Sequence, residues 1–147
     1  MPLTSAFHIA SEALTAQSER MKVHAHNIAN INTPFYQRKV PILLEKNTMD
    51  FQSILTGFQN GMLKTGISTA PGGVELAGTV LDNTAGRRLY QPGHPQADKD
   101  GFITLSNVSP MIDMADAMQT SRLYEANLAV IGVVKNMANK ALEIGRG

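Results

Sequence analysis

The apolar positions of the first thirty residues step alternately by four and three: Leu3, Phe7, Ala10, Leu14, Gln17, Met21, His24, Ile28. This is a heptad register, and it predicts a long amphipathic helix. One seam position is always large and apolar (Phe7, Leu14, Met21, Ile28), whereas the other turns small or polar after Leu3. No Gly or Pro interrupts Ala6 to Ala29, and strong helix formers dominate. The helix must then stop. Asn27, Asn30 and Asn32 are poor interior helix residues whose side chains bond to freed backbone groups, and Pro34 with Thr33 before it forces an extended exit. A rod about 40 Å long therefore ends in a defined corner at Tyr36.

A second long helix is predicted at the other end. Ser109 is its N-cap, Pro110 its first helical residue, Asp113 an acid in the first turn, and Gly145 its expected terminator. Met111, Met114, Met118, Tyr124, Leu128, Ile131, Val134, Met137 and Leu142 recur at helical spacing over roughly 50 Å. Between the helices the pattern turns to period two. Val40–Glu45 is a short strand that Pro41 confines to an edge or a strand start, and Val74–Asp82 alternates like a strand. Asn83–Gly86 is a turn, and Arg87–Tyr90 is expected to return on it as a hairpin. A Pro/Gly/Asp loop (91–101) precedes a last short strand, Phe102–Leu105. Residues 47–64, with Phe51, Ile54, Leu55 and Phe58, suggest a short helix or a mobile insert.

The expected fold is mainly α with a small β insert, the long terminal helices pairing as a coiled-coil-like hairpin. Residues 1–36 and 107–147 form a discontinuous helical domain around a β-rich insert, 37–106. One feature does not fit an isolated hairpin. The second helix is apolar around much of its girth (Ile131, Val133 and Val134, then Ala138, Ala141 and Leu142). Paired with one helix it leaves an apolar stripe in water, and such stripes mark interfaces.

Composition narrows the function. At 147 residues the chain is one domain's worth, with 43% hydrophobic but only 5% aromatic residues and no Trp. A net charge of +1 with interspersed signs gives no field for nucleic acid or an acidic membrane. The absence of cysteine rules out disulfides, thiolate metal sites and Cys nucleophiles. No 18-residue apolar run spans a bilayer, and no cleavable secretion signal is visible.

Candidate chemistry dissolves on inspection. His24 and His26 point about 200° apart on a helix and cannot share one ion. Asp98-Lys99-Asp100-Gly101 brings its Gly too early for a calcium loop and reads as a turn. His94, between Gly93 and Pro95, has no local partners for a triad, and Gly72-Gly73 lacks the Lys-Ser/Thr of a phosphate cradle. The eight methionines fit quasi-equivalent packing. Neither enzyme chemistry, cofactor, metal nor small-molecule substrate is expected.

Two stretches carry a resemblance. Ala25 to Tyr36, with its Asn-rich turn and Thr33-Pro34, resembles the N-terminal signature of bacterial flagellar axial proteins, the rod and hook family. Leu89-Tyr90-Gln91-Pro92-Gly93-His94-Pro95-Gln96-Ala97-Asp98 through Ile103, with Ser106-Asn107-Val108, is similar to the run Tyr-x-Pro-Gly-His-Pro-x-Ala-Asp-x-x-Gly-Tyr-Val and Pro-Asn-Val of proximal-rod members. Ser121-Arg122-Leu123-Tyr124-Glu125-Ala126-Asn127 and Ala141–Arg146 resemble the same proteins' tail. Departures are Phe35 for Gly, Ser106 for Pro and Phe102 for Tyr. Phe35 forfeits the easy positive φ of Gly, so the corner's exact backbone is not carried over from relatives.

The resemblance covers roughly 1–46 and 74–147. It implies a structural subunit of the flagellar basal-body rod, a drive shaft in the periplasm that transmits torque to the hook. The subunits assemble helically, their terminal helices lining the export channel and the insert facing outward. Implied partners are other copies, other rod proteins and basal-body components, and the flagellar type III export apparatus, for which Phe51 to Leu55 fits an early-substrate pattern. Subunit contacts are expected at Phe7, Leu14, Met21, Ile28, Asn27, Asn30, Thr33, Pro34 and Tyr36. On the second half they fall at Tyr90, Pro92, His94, Pro95, Asn107, Arg122, Tyr124, Asn127, Leu128 and Ile131. The alternative is a soluble coiled-coil adaptor or export chaperone that forms a closed complex rather than tiling.

Overall fold

The computed structural model describes residues 2–46 and 72–145, with side chains from Thr4 onward on the first helix. Expectations for residues 47–71, including the Phe51–Leu55 pattern, and for the Leu3 side chain lie outside the described residues. Helix α1 runs Pro2–Ala29, and helix α2 runs Pro110–Ile144. Strand β1 (Lys39–Glu45) pairs antiparallel with β2 (Val74–Leu81), and β3 (Arg88–Tyr90) pairs with β4 (Phe102–Thr104). The architecture is two long helices with a small β insert between them, as the patterning predicted.

The strand partners differ from those expected. Val74–Leu81 does not turn back on Arg88–Tyr90 but lies along β1, from Lys39 opposite Leu81 to Glu45 opposite Val74. The reason is tertiary. Asn107 donates its amide to the carbonyls of Asp82 and Thr84 at 2.9 and 3.0 Å, pulling the chain after β2 away from its own strand. It then runs beside Leu105, whose N–H donates to Arg87 O, so close that a Cβ on Gly86 would sit 1.9 Å from Leu105 O. Only a glycine fits there. The β1–β2 ladder shifts register between Ile42 and Leu43, opposite Gly78, and both strands are edges, which leaves Pro41 without conflict.

The Asp98–Gly101 turn is pinned by one carboxylate. Asp98 Oδ1 accepts from the N–H groups of Asp100 and Phe102, and Arg88 donates to Oδ2 at 2.8 Å while stacking over the Phe102 ring. The Phe102 N–H foremost holds this carboxyl below its ordinary range.

The seam of α1 also departs from its sequence reading. Its small and polar members, Ala10, Gln17 and His24, are buried, whereas Leu14, Met21 and Ile28 are only half-buried and Phe7 is 49% exposed. Small residues let the two helix backbones approach, and the large ones splay to the margins of the contact. A second face of α1, with buried Ala16 and Val23, packs on the β1–β2 sheet. Helix α2 buries still less: only Asp113 and Thr120, both polar, both in its first third. Leu128, read from sequence as a mid-helix core residue, is 46% exposed. Gly145 caps α2 in the right-handed region (φ −76°), its N–H bonding Ala141 O, so its left-handed freedom goes unused.

The positive φ falls instead on Phe35, at 60°. The corner thus keeps the conformation that Gly would give, in a residue that pays steric strain for it. Phe35 N–H donates to Thr104 O at 3.0 Å, which fixes the peptide, while the ring is 60% exposed. Phe35→Gly is therefore expected to hold or raise stability, by at most about 1 kcal/mol, since relief of strain is partly offset by greater unfolded-state entropy. The midpoint of denaturant unfolding measures it; a marked loss of stability would show that the exposed ring packs on something. Burial also predicts graded protection. Amide exchange in dilute chain should be slowest at 23–29 and 113–120 and fast beyond residue 130, because most helix stability comes from packing.

Candidate assembly site

The corner is built around one carboxylate. Pro110 starts α2 with a ring that needs no hydrogen bond, and Ser109 before it is extended. Asp113 then falls in the first turn, its N–H on Ser109 O, and its side chain is fully buried against α1. Three side chains converge on it. His24 Nδ1 lies 3.1 Å and Asn27 Nδ2 3.0 Å from Oδ1; Arg38 Nε donates to Oδ2 at 3.0 Å. Arg38 Nη2 reaches on to Asp116 at 3.3 Å. A carboxylate only accepts, so the proton of His24 sits on Nδ1, and Nε2 is buried without a partner among the described residues.

Asn27 makes this a knot rather than a bridge. Its amide donates to Lys39 O at 2.8 Å, and its carbonyl accepts from Lys39 N–H at 2.9 Å and Tyr36 O–H at 3.1 Å. One residue two turns of chain from the corner's exit therefore clamps the start of β1 like a ladder partner. Asn107 does the same from the other side, accepting from Arg38 N–H at 2.7 Å while holding Asp82 O and Thr84 O. Asn30 closes the helix end locally: Nδ2 bonds His26 O, and Oδ1 takes the Thr33 hydroxyl.

Electrostatics follow. Burial pushes the Asp113 carboxyl up, but the hydrogen bonds from Asn27, His24 and Arg38 and the Arg38 charge outweigh it, so its pKa lies below the ordinary 3.8. Burial, and next the Asp113 charge, push the Tyr36 phenol up. His24, Asp113 and Asp116 are close enough to offer three ligand atoms to a metal ion. The Arg38 guanidinium already lies against both carboxylates, however, and neutralises them; the donor set fits that cation rather than a metal.

The expected contact residues divide into three groups. Asn27, Asn30, Thr33, Tyr36 and Asn107 work inside the corner, beside the half-buried Pro34. Tyr90, Pro92, His94 and Pro95 form the outer loop: Tyr90 packs edge-on against Phe102, and His94 Nδ1 accepts from Gln96 N–H. Phe7, Leu14, Met21 and Ile28, with Arg122, Tyr124, Asn127, Leu128 and Ile131, line the flanks of the helix pair, exposed or half-buried. Asn127 Nδ2 is occupied by Leu123 O. Sequence reasoning missed Arg38 and Asp116 altogether and saw Asp113 only as a helix-start acid. The available signal was His24 and Gln17, polar residues in an apolar seam.

The class is a helical-hairpin protein with a polar corner and unpaired apolar flanks, that is, a building block. Comparison with known proteins agrees. The family model described as flagella basal body rod protein matches residues 7–37, and that for the flagellar basal body rod FlgEFG protein C-terminal matches 99–144. The flagellar basal-body rod protein FlgC of Escherichia coli O6:H1 is 32% identical over 146 residues, covering 99% of this chain and all of the relative. FlgC of Bacillus subtilis is 33% identical over 155 residues (97% and 99%), and that of Salmonella typhimurium is 32% identical over 146 (99% and 100%). The chain belongs to the FlgC family of flagellar basal-body rod proteins. It is a structural subunit of the basal-body rod.

Removing one partner from a buried ion pair costs about 3–5 kcal/mol. Asp113→Asn should lose that order of stability, read as a lower denaturation midpoint. Because the folded-state pKa of Asp113 is depressed, its contribution is complete above the unfolded value near 4 and disappears as pH falls through the lower folded one. The wild-type chain should thus weaken in acid, and the Asn variant should lack that part of the slope. Equal acid slopes would remove Asp113 from the centre of the corner.

Proposed function

We propose that the chain self-assembles helically with copies and other rod proteins into the drive shaft, and that α1 and α2 form the wall of its central export channel. In this reading residues 1–36 and 107–147 are the tube-forming domain, and 37–106 face outward. The observation that carries it is the apolar surface left over when the helices have paired. Past Thr120, α2 has no fully buried residue, yet Leu123, Leu128, Val130, Val133, Met137, Leu142 and Ile144 lie exposed along it. Apolar surface on this scale is covered by neighbours or becomes an aggregation hazard.

The remaining roles follow from tiling. Contacts distributed around a helix pair suit a heterologous arrangement, which extends into an open helix of subunits rather than closing as a dimer. The expected flank and outer-loop contacts, from Phe7 to Ile131, belong to these interfaces, and the corner residues hold the two domains at a fixed angle. The subunit acts without catalysis, cofactor or nucleic acid, and it reaches the rod in the periplasm through the flagellar export apparatus.

Motility together with the protein content of purified basal bodies tests this. Burying one Leu is worth roughly 1.5–3 kcal/mol per copy, and an unpaired charge there adds a desolvation cost. Leu128→Asp should leave the isolated fold nearly unchanged, since the residue is exposed there, but abolish incorporation and motility. Leu14→Asp, half-buried, should lower both. Glu75→Ala, on the solvent face of β2, should be silent. Incorporation of both Asp variants at wild-type levels would overturn the reading.

A further inference from the structure

Residues 47–71 stand between β1 and β2, yet the two strands close on each other without them. The ladder runs from Lys39 opposite Leu81 to Glu45 opposite Val74. Lys46 N–H then adds a last rung to Gly73 O at 2.7 Å. The chain therefore leaves the sheet and returns to it across a single hydrogen-bonded pair. A two-residue hairpin turn closes that geometry, so the pairing itself calls for no longer connection.

Helix α1 holds the same two residues. Glu12 accepts from Lys46 Nζ at 2.8 Å through Oε1. Lys46 foremost keeps the Glu12 carboxyl below its ordinary range, so the pair is ionised. The other oxygen lies against Gly73, where an added Cβ would overlap Oε2 and come within 2.8 Å of the Glu12 Cβ. Gly73 is buried, and no side chain fits there. One helix residue thus clamps the end of β1 and the approach to β2 at a single point. Further along α1, buried Ala16 and Val23 hold the helix on the sheet.

We infer that residues 47–71 are an insertion which the fold carries but does not need, and that Glu12, Lys46 and Gly73 are the positioning residues that set it apart. The order of β1 and β2 comes from their own ladder, from this clamp and from α1. Closing a loop costs only slowly more as the loop lengthens, so a clamped stem accepts connections of very different size. Tolerance of a change in length follows from flanking backbone that is already hydrogen-bonded. Here the chain can gain or lose residues without disturbing the helix pair or the corner.

Replacing 47–71 by a single Asn gives Lys46-Asn-Gly72-Gly73, an Asn-Gly turn of the kind that hairpins favour. A short Gly-Ser linker in the same place covers the case in which that joint is strained. At least one of these shortened chains should keep the wild-type denaturation midpoint and full amide protection across 39–45 and 74–81. Gly73→Ala should lower the midpoint, and by the same amount in the full and the shortened chain, because the clamp acts without the segment. Loss of ladder protection or of the midpoint in both shortened chains overturns the inference. It would show that 47–71 support the face on which Val40, Ile42 and Leu44 are exposed. An unequal effect of Gly73→Ala overturns it as well, since the segment would then share in the clamp.

Discussion

A carboxylate with no access to water organises this molecule. Asp113 is tolerable inside only because Asn27, His24 and Arg38 together satisfy both of its oxygens, and those three come from a helix, its last turn and the strand approach beyond it. The ionised group cannot be paired unless all three segments are in place at once. The interaction is thus less a source of net stability, which desolvation largely cancels, than a condition on geometry. A fixed geometry of this kind suits a structural subunit of the rod.

Asn27 extends the same logic to the backbone. Between the end of α1 and the start of β1 the chain has no room for regular structure, yet its polar groups are partly buried and need partners. An amide side chain, with both a donor and an acceptor, replaces a strand neighbour for Lys39 and still spares a donor for Asp113. Asn107 repeats the device across the insert. Neither Asp nor Leu has that double capacity. The corner can therefore tolerate a strained residue such as Phe35, whose conformation is imposed by hydrogen bonds on either side.

Much of this was legible in the chain. Heptad spacing, the absence of Gly and Pro, and the Ser109-Pro110 start located both helices to within a residue or two, because these are local signals. What was not legible depended on partners far away in sequence. The turn Asn83–Gly86 looked like a hairpin, and nothing local announces that Asn107 takes the Asp82 and Thr84 carbonyls. The seam of α1 was found in the right register, but large residues were assumed to be the buried ones. Ala10, Gln17 and His24 are buried instead, because backbone approach is set by the smallest side chains on the contact line. Arg38 gave no sign at all, since a basic residue after a corner ordinarily faces solvent.

The distribution of burial explains why such a chain has an assembled life. Near the corner, α1 is covered on one side by α2 and on another by the sheet, and both oxygens of Asp113 are satisfied there. Away from it the helices are held by little more than each other, with Phe7, Leu128 and Val133 in water. A structural subunit of the rod gains from this gradient. Its determined part sets the angle, while its distal helices, whose stability awaits packing, stay open to neighbours. A fully buried helix pair would be a more stable monomer and, with its apolar surface spent internally, a poorer tile.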